Sequence, residues 1–363
     1  VVEPVAILGG GLAGASAALR LARAGIAAHL FERQAAAHHK VCGEFLSVEA
    51  QRDLRDMAFE PLRLGAVPID RVRIVSGRRS AESRLPFTAL GITREVLDEA
   101  LLDAAAAAGA TVRRGLRVTG IEDHGIRTGE GQFQAGTVFL ATGKHDLRGA
   151  ARPDARKRDA HLCFKMHWRI PAGQDEELGS AVELVLFDGG YLGIQRVAAR
   201  VMNFCVLIRR ERFGGSWTGL LEDLARDDHV ARRLDGAHEL LDRPASIAGL
   251  PYGYVHRPRD DRKNLFRLGD QAALTAPLTG DGMAIALRSA ALAVDCLRSG
   301  LAPADYTRML HREVSGQVRK AMLLHHCTGL PVLPLALGLL GFWPSLLGRL
   351  AAATRLPRTE EPA

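Results

Sequence analysis

Four apolar residues, Val5–Leu8, precede a glycine cluster, after which apolar positions recur with helical spacing from Leu12 to Ala24. A second apolar run, Ala27 to Phe31, ends at Glu32. The pattern predicts strand, tight turn, helix and strand, the opening of a parallel α/β sheet. A helix is predicted from Ile92, then strands at Thr111 to Arg113 and Arg117 to Glu122. The apolar strand Thr137 to Ala141 leads into Thr142-Gly143, and far along the chain another short strand closes at Leu268-Gly269-Asp270. A small-residue helix follows from Met283 to Ser299.

The middle reads differently. Asp70 to Ser76, His161 to Ile170, Ala181 to Phe187, Tyr191 to Val197 and Val201 to Ile208 have strand character, interrupted by one helix near Trp217 to Asp227. In His161 to Ile170, alternation sets His161, Cys163, Lys165, His167 and Arg169 on one face and Leu162, Phe164, Met166, Trp168 and Ile170 on the other. Two readings stay open for the polar face: solvated, or roofing a cavity with Lys165 or His167 binding a polar end of a substrate. From Pro303 to His326, Tyr306, Met309, Leu310, Val314, Val318 and Met322 fall on one helical stripe. Thr328 to Gly348 carries no charge, yet Pro331, Pro334 and Pro344 with Gly338 and Gly341 cut it into pieces too short to span a bilayer. Residues 328–355 therefore fit a peripheral contact with lipid, a cap over an apolar cavity, or a hairpin completing the core.

Composition narrows the class without changing the picture. The 363 residues are 47% hydrophobic and 25% charged, as expected of a globular protein of about two domains. The net charge of +7 is weighted toward the C-terminal region, with no aromatic-interleaved basic stripe, so nucleic acid is not the expected partner. Five cysteines without a CxxC pair argue against a disulfide framework or a structural zinc. A reducing cytoplasm is the expected location, at the inner membrane face if residues 328–355 lie on lipid.

The chemistry sits in three motifs. Gly9-Gly10-Gly11-Leu12-Ala13-Gly14 is a GxGxxG between strand and helix. Gly9 permits the turn, Gly11 lets a pyrophosphate approach the backbone, and Gly14 allows close packing of helix on strand. The amides opening the helix, near Leu12 and Ala13, face the phosphates. Glu32, closing the second strand, stands where an acid accepts hydrogen bonds from ribose hydroxyls. Arg94-x-x-Leu97-Asp98 opens the second helix, and Gly269-Asp270 is followed by Pro277, Gly280 and Gly282.

Together these resemble the aromatic-hydroxylase (p-hydroxybenzoate hydroxylase-like) superfamily of FAD-dependent monooxygenases. The resemblance implies a Rossmann-like FAD-binding domain, from residues 1–68, 91–158 and 259–300. An inserted antiparallel sheet for substrate, from 69–90 and 159–258, and a C-terminal helical segment, 301–363, complete the expected architecture. It implies that Arg94 reaches the FAD phosphates or ribityl chain, that Asp270 binds the ribityl chain, and that Gly282 and Met283 offer amides to the flavin N1–O2 edge. Val118 and Gly143, with Pro277 and Gly280, join the implied cofactor set. Lys40-Val41-Cys42-Gly43 resembles a segment of the geranylgeranyl reductase and flavin halogenase branch, which implies Lys40 or Arg33 along the phosphates and Cys42-Gly43 over the flavin.

Two departures matter. The stretch Gly189 to Arg196, with Tyr191, lacks the tryptophan motifs of halogenases and prenyl reductases, so halogenation is not expected and prenyl reduction is weakened. Ala141-Thr142-Gly143-Lys144-His145-Asp146 lacks the Asp-Gly that aromatic hydroxylases use in NAD(P)H contact, which leaves direct reduction by NADPH or NADH open. The expected activity is oxygenation, through a flavin C4a-hydroperoxide and molecular oxygen, of a lipophilic aromatic or polyketide-like molecule of secondary metabolism. Reduction or desaturation of isoprenoid-like chains is the alternative, and a non-enzymatic flavin redox sensor a third reading. Cys42, Lys165, His167 and Tyr191 are the candidates beside the flavin.

Overall fold

The computed structural model describes residues 3–152, 160–257 and 262–328, with 348, 351, 352 and 355 besides. The chain begins β1 (Val5–Leu8), α1 (Leu12–Arg23) and β2 (Ala28–Glu32), then β3 (Phe45–Leu46) and α2 (Val48–Asp56). A long hairpin of β4 (Val67–Ser76) and β5 (Arg79–Gly91) leads to α3 (Arg94–Ala107) and β6 (Thr111–Arg114). A meander of β7 (Val118–Glu122), β8 (Gly125–Thr128) and β9 (Gly131–Gln134) precedes β10 (Thr137–Leu140). The middle runs β11 (His161–Arg169), α4 (Ala172–Leu178), β12 (Ala181–Phe187), β13 (Gly190–Ala198), β14 (Val201–Arg209), α5 (Trp217–Leu224) and α6 (Asp228–Leu234). After β15 (His238–Glu239), β16 (Ala245–Ala248) and β17 (Tyr254–Val255), the chain returns through β18 (Leu265–Arg267) and β19 (Ala273–Leu274) to α7 (Gly282–Arg298) and α8 (Pro303–Cys327).

The first sheet, ordered β18-β10-β1-β2-β6, is parallel throughout. Its central strand β1 is apolar on both faces because both are covered. Val5 and Ile7 of β1 pack with Leu19 of α1, Leu97 of α3 and Ile285 of α7, whereas Ala6 and Leu8 pack with Ile121 and Ile126 of the meander. The outermost strand, β18, comes from the far end of the chain and is also held by α8. There the Tyr306 hydroxyl donates to the Arg267 carbonyl at 2.7 Å. Tyr306, Leu310, Val314 and Val318 of the predicted stripe are buried, but Met309 is exposed.

The second sheet orders β15-β11-β14-β13-β12-β4-β5-β3, with β16 also on β11. It is antiparallel except where β12 joins β4 in parallel, the seam between the inserted segment and the earlier hairpin. One face, with Phe164, Met166, Trp168 and Phe204, packs under α5 and α6 through Leu220, Leu224 and Val230. The helix predicted near Trp217 to Asp227 forms as α5, and a second helix that was not predicted, α6, follows where Asp227 caps it by accepting from the His229 amide at 2.9 Å. The opposite face meets the nucleotide-binding half and defines the candidate site.

Candidate cofactor and substrate site

The glycine loop has the geometry its sequence requires. Gly9 takes φ +109°, and a Cβ there would lie 2.5 Å from the Ala141 carbonyl oxygen. A Cβ on Gly14 would lie 1.9 Å from the Gly9 oxygen, so only glycine lets α1 pack this closely on the loop. Gly11 differs: a Cβ would meet only the tips of Arg94, at 3.4 Å, and Lys40, at 3.5 Å. Gly11 is also the N-cap of α1 and leaves the first-turn amides without a side-chain cap. Uncapped amides and two converging cations make a cradle for a diphosphate. Leu12 and Ala13, the first residues of α1, are buried beneath it.

Asp98, unassigned by the sequence motif, organises those cations. Its carboxylate receives Arg94 Nε and Nη2, both at 2.9 Å, and Lys40 Nζ at 2.5 Å. Burial works against its charge, but Arg94 and Lys40 outweigh burial and hold its pKa below the ordinary value. Of the two cations expected along the phosphates, Lys40 is the one beside Gly11. Arg33 is exposed, its guanidinium 3.0 Å from His145 Nε2. Glu32 accepts from the Gly10 amide at 2.7 Å and the Gln34 amide at 2.9 Å, which sets its carboxylate at the loop where a ribose would bind. Val118 lies half-buried at the start of β7.

At the other end of the cradle, Lys144 donates to the Val41 carbonyl at 3.0 Å and lies 3.5 Å from Asp270. Burial disfavours its ammonium, but Asp270 and Cys42 more than offset that and raise its pKa. Gln271 Nε2 donates to the Gly143 carbonyl at 2.7 Å, with Gly143 at φ +61°. Pro277–Thr279 form one 3-10 turn, ending at Gly280, where φ is +71° and a Cβ would lie 2.6 Å from the Phe45 ring. Gly282 and Met283 then open α7, whose N-cap, Asp281, makes no capping bond, leaving its amides available to an anionic ring edge.

The strand-to-loop segment 40–44 crosses from one half to the other. Asn203 of β14 donates to the carbonyls of Cys42, at 3.2 Å, and Gly43, at 2.9 Å. Glu44 has φ +60° and is fully buried. Its carboxylate takes Lys165 Nζ at 2.5 Å, His167 Nε2 at 2.6 Å and the Arg94 amide at 2.7 Å. Burial raises the Glu44 pKa less than Lys165 and His167 lower it. The solvated reading of the polar face of β11 is thereby corrected at Lys165 and His167, which are buried and both paired with the Glu44 carboxylate. Sequence periodicity placed them on one face but could not supply Glu44, which approaches from a distant segment. Asn203, Lys144 and Asp98 were missed for the same reason, although Lys144 and Asp98 lie inside quoted motifs.

Further along this face, Cys163, Tyr191, Cys205 and Leu207 form a buried wall packed with Val41, Leu184, Tyr252 and Leu278. It touches both the Lys40–Gly43 segment and the turn before α7, the two places expected to hold a flavin ring.

A family model described as an FAD binding domain matches residues 3–131. The chain carries an FAD-binding domain. Glycine loop, paired cations, Glu32 and the open start of α7 fit FAD. A comparison with curated proteins finds no significant match. Among solved structures, the fold is similar to the flavin-dependent brominase Bmp2 at TM-score 0.75 and 14% identity, covering 98% of this chain and 95% of that one. It is similar to halogenase PltM at 0.73 and 14%, covering 90% and 76%. It is also similar to a geranylgeranyl bacteriochlorophyll reductase-like protein from Thermoplasma acidophilum at 0.71 and 18%, covering 99% and 93%. At these identities the likeness concerns the FAD fold and its second sheet, not the reaction.

Proposed function

We propose that the protein is an FAD-dependent monooxygenase that hydroxylates a neutral, lipophilic aromatic or polyketide-like small molecule. The observation that carries this reading is the wall of Cys163, Tyr191, Cys205 and Leu207, which meets the cofactor half at Val41 and Leu278. Such a surface binds through apolar contact and orients through a few polar atoms. The nearby cation Lys165 is paired with the Glu44 carboxylate, so it does not favour an anionic substrate. Bound FAD, reduced by NADPH or NADH, supplies the electrons that activate oxygen. The residues position it: Asn203 fixes the Cys42 and Gly43 carbonyls, Lys144 fixes Val41, and α7 presents its amides.

The test is anaerobic reduction of the holoenzyme with NADPH and NADH, with and without alkylated phenols, followed by labelled oxygen. Labelled oxygen in the phenol supports the reading. Reduction of an isoprenoid double bond without oxygen uptake would replace it with the reductase alternative. Because the Asp-Gly motif is missing, reduction without substrate is expected to be slow. Rapid reduction of the free enzyme by NADPH would contradict that expectation.

A further inference from the structure

Two cysteines of the apolar wall are placed as a pair. Cys163 on β11 and Cys205 on β14 lie on neighbouring antiparallel strands, Cys163 opposite Leu207 and Cys205 opposite Lys165. They are thus diagonal neighbours on the sheet face that meets Cys42–Glu44. Their sulfurs are 3.9 Å apart, and the two residues are only 4% and 7% exposed. Closing that gap to the ~2.05 Å of a disulfide takes side-chain rotation and an inward shift of the two strands. We propose that Cys163 and Cys205 form an oxidative modification site, closed to a disulfide by hydrogen peroxide released inside the flavin cleft.

The proposal rests on the flavin-dependent reading of the cleft, not on hydroxylation. Bound FAD, once reduced, would supply the hydrogen peroxide by giving two electrons and two protons to oxygen. Cys163 attacks one peroxide oxygen, breaking the O–O bond, and becomes a sulfenic acid with release of water. Cys205 then displaces that hydroxyl as a second water, forming the S–S bond. Two thiols and one peroxide thus give one disulfide and two waters. Cys163 is the attacking sulfur because its hydrogen bond and burial hold Cys205 as a thiol, with a raised pKa.

Burial makes the site selective for the source of oxidant. Peroxide from bulk must reach two enclosed sulfurs, whereas peroxide born against Val41 and Leu278 starts beside them. The local source acts as a high effective concentration. Cys296, buried in α7 beside Met309, serves as an internal reference away from this wall.

The experiment photoreduces FAD-loaded protein and readmits air for repeated cycles with catalase in the bath, then alkylates it in denaturant and maps peptides by mass. The expected result is joined Cys163 and Cys205 peptides that reductant separates, formed roughly tenfold or more faster than with the same total peroxide added from outside. Cys205→Ala should leave Cys163 as a trappable sulfenic acid. Joined peptides formed equally fast by added peroxide without turnover would overturn the internal source. Oxygen uptake with both thiols still alkylated, in wild type and with no sulfenic acid in Cys205→Ala, would overturn the pair and leave the hydroxylase reading intact. No oxygen uptake at all would overturn both.

Discussion

Gly11 and Gly14 belong to one motif yet do different work, and substitution separates them. Gly14→Ala puts a Cβ 1.9 Å from a backbone oxygen that cannot move without shifting β1. We expect a loss of about 1–3 kcal/mol, read as a lower urea midpoint of the apoprotein. Gly11→Val meets only the ends of Arg94 and Lys40, which can swing away. It should keep the apoprotein midpoint and the circular dichroism while abolishing bound FAD. Retained stoichiometric flavin would mean the loop is not the diphosphate site. Both roles were legible because they depend on residues adjacent in sequence. Glu44 was not, since its partners arrive from β11 and α3. Lys165→Ala leaves that carboxylate buried with His167 and one amide, and should cost about 3–5 kcal/mol in the same denaturation assay.

At the scale of elements, the second sheet is held to its helices by a buried charge cluster with a pH signature. Glu183 on β12 receives Arg233 of α6 at 2.8 and 3.1 Å and His229 at 2.8 Å, and it also pairs with Arg73 of β4. Burial raises its pKa, but His229 and Arg233 dominate and bring it down to about 2, from 4.5. A carboxylate with a depressed folded pKa contributes stability that is fully present above its unfolded value. That contribution fades as pH falls from about 4.5 to about 2 and is on the order of 3 kcal/mol. Glu183→Gln should therefore be less stable than wild type at pH 7, with the difference shrinking through this window in a series of urea titrations. A constant difference down to pH 2 would show that the charge is not what matters. Alternation predicted the strand that carries Glu183, but its ligands lie on a short helix whose separate existence the sequence reading did not resolve. Strands and helices with strong periodicity were read well, while the packing of elements across the sheet was not.

For the whole molecule, two distant stretches of chain complete the cofactor half, and the motifs at both ends made that legible before any geometry. The protein should be yellow and release FAD, not FMN, on denaturation, since Glu32 and the diphosphate cradle have no use in FMN binding. The C-terminal segment was less legible, as an uncharged run suits lipid and protein alike. Most of residues 328–355 lie outside the described residues, and among the described ones one observation favours a cap. No described helix is long and apolar enough to cross a membrane.

That observation is Arg355. Its guanidinium reaches the Thr279 carbonyl and lies 3.2 Å from Asp281 Oδ1, above the rings of Phe45 and Phe87. Arg355 thus closes on the turn that opens α7, the helix expected to face the flavin. Asp281 is fully buried, and burial raises its pKa to about 6 although Arg355 and Gln317 oppose the rise. An acid with a raised folded pKa costs stability as pH climbs from its ordinary 3.8 to about 6, and the cost is constant above that. Removing Arg355 raises this pKa further and carries the cost to higher pH. Arg355→Gln should therefore match wild type through Asp281 near pH 5 and be less stable at pH 8, with faster FAD release at the higher pH. Deleting the residues after Thr328 should show the same pH dependence on a larger overall loss, and full-length protein should stay off anionic liposomes at low salt. Liposome binding that disappears on deletion, with stability and FAD retention unchanged at both pH values, would instead assign the segment to lipid.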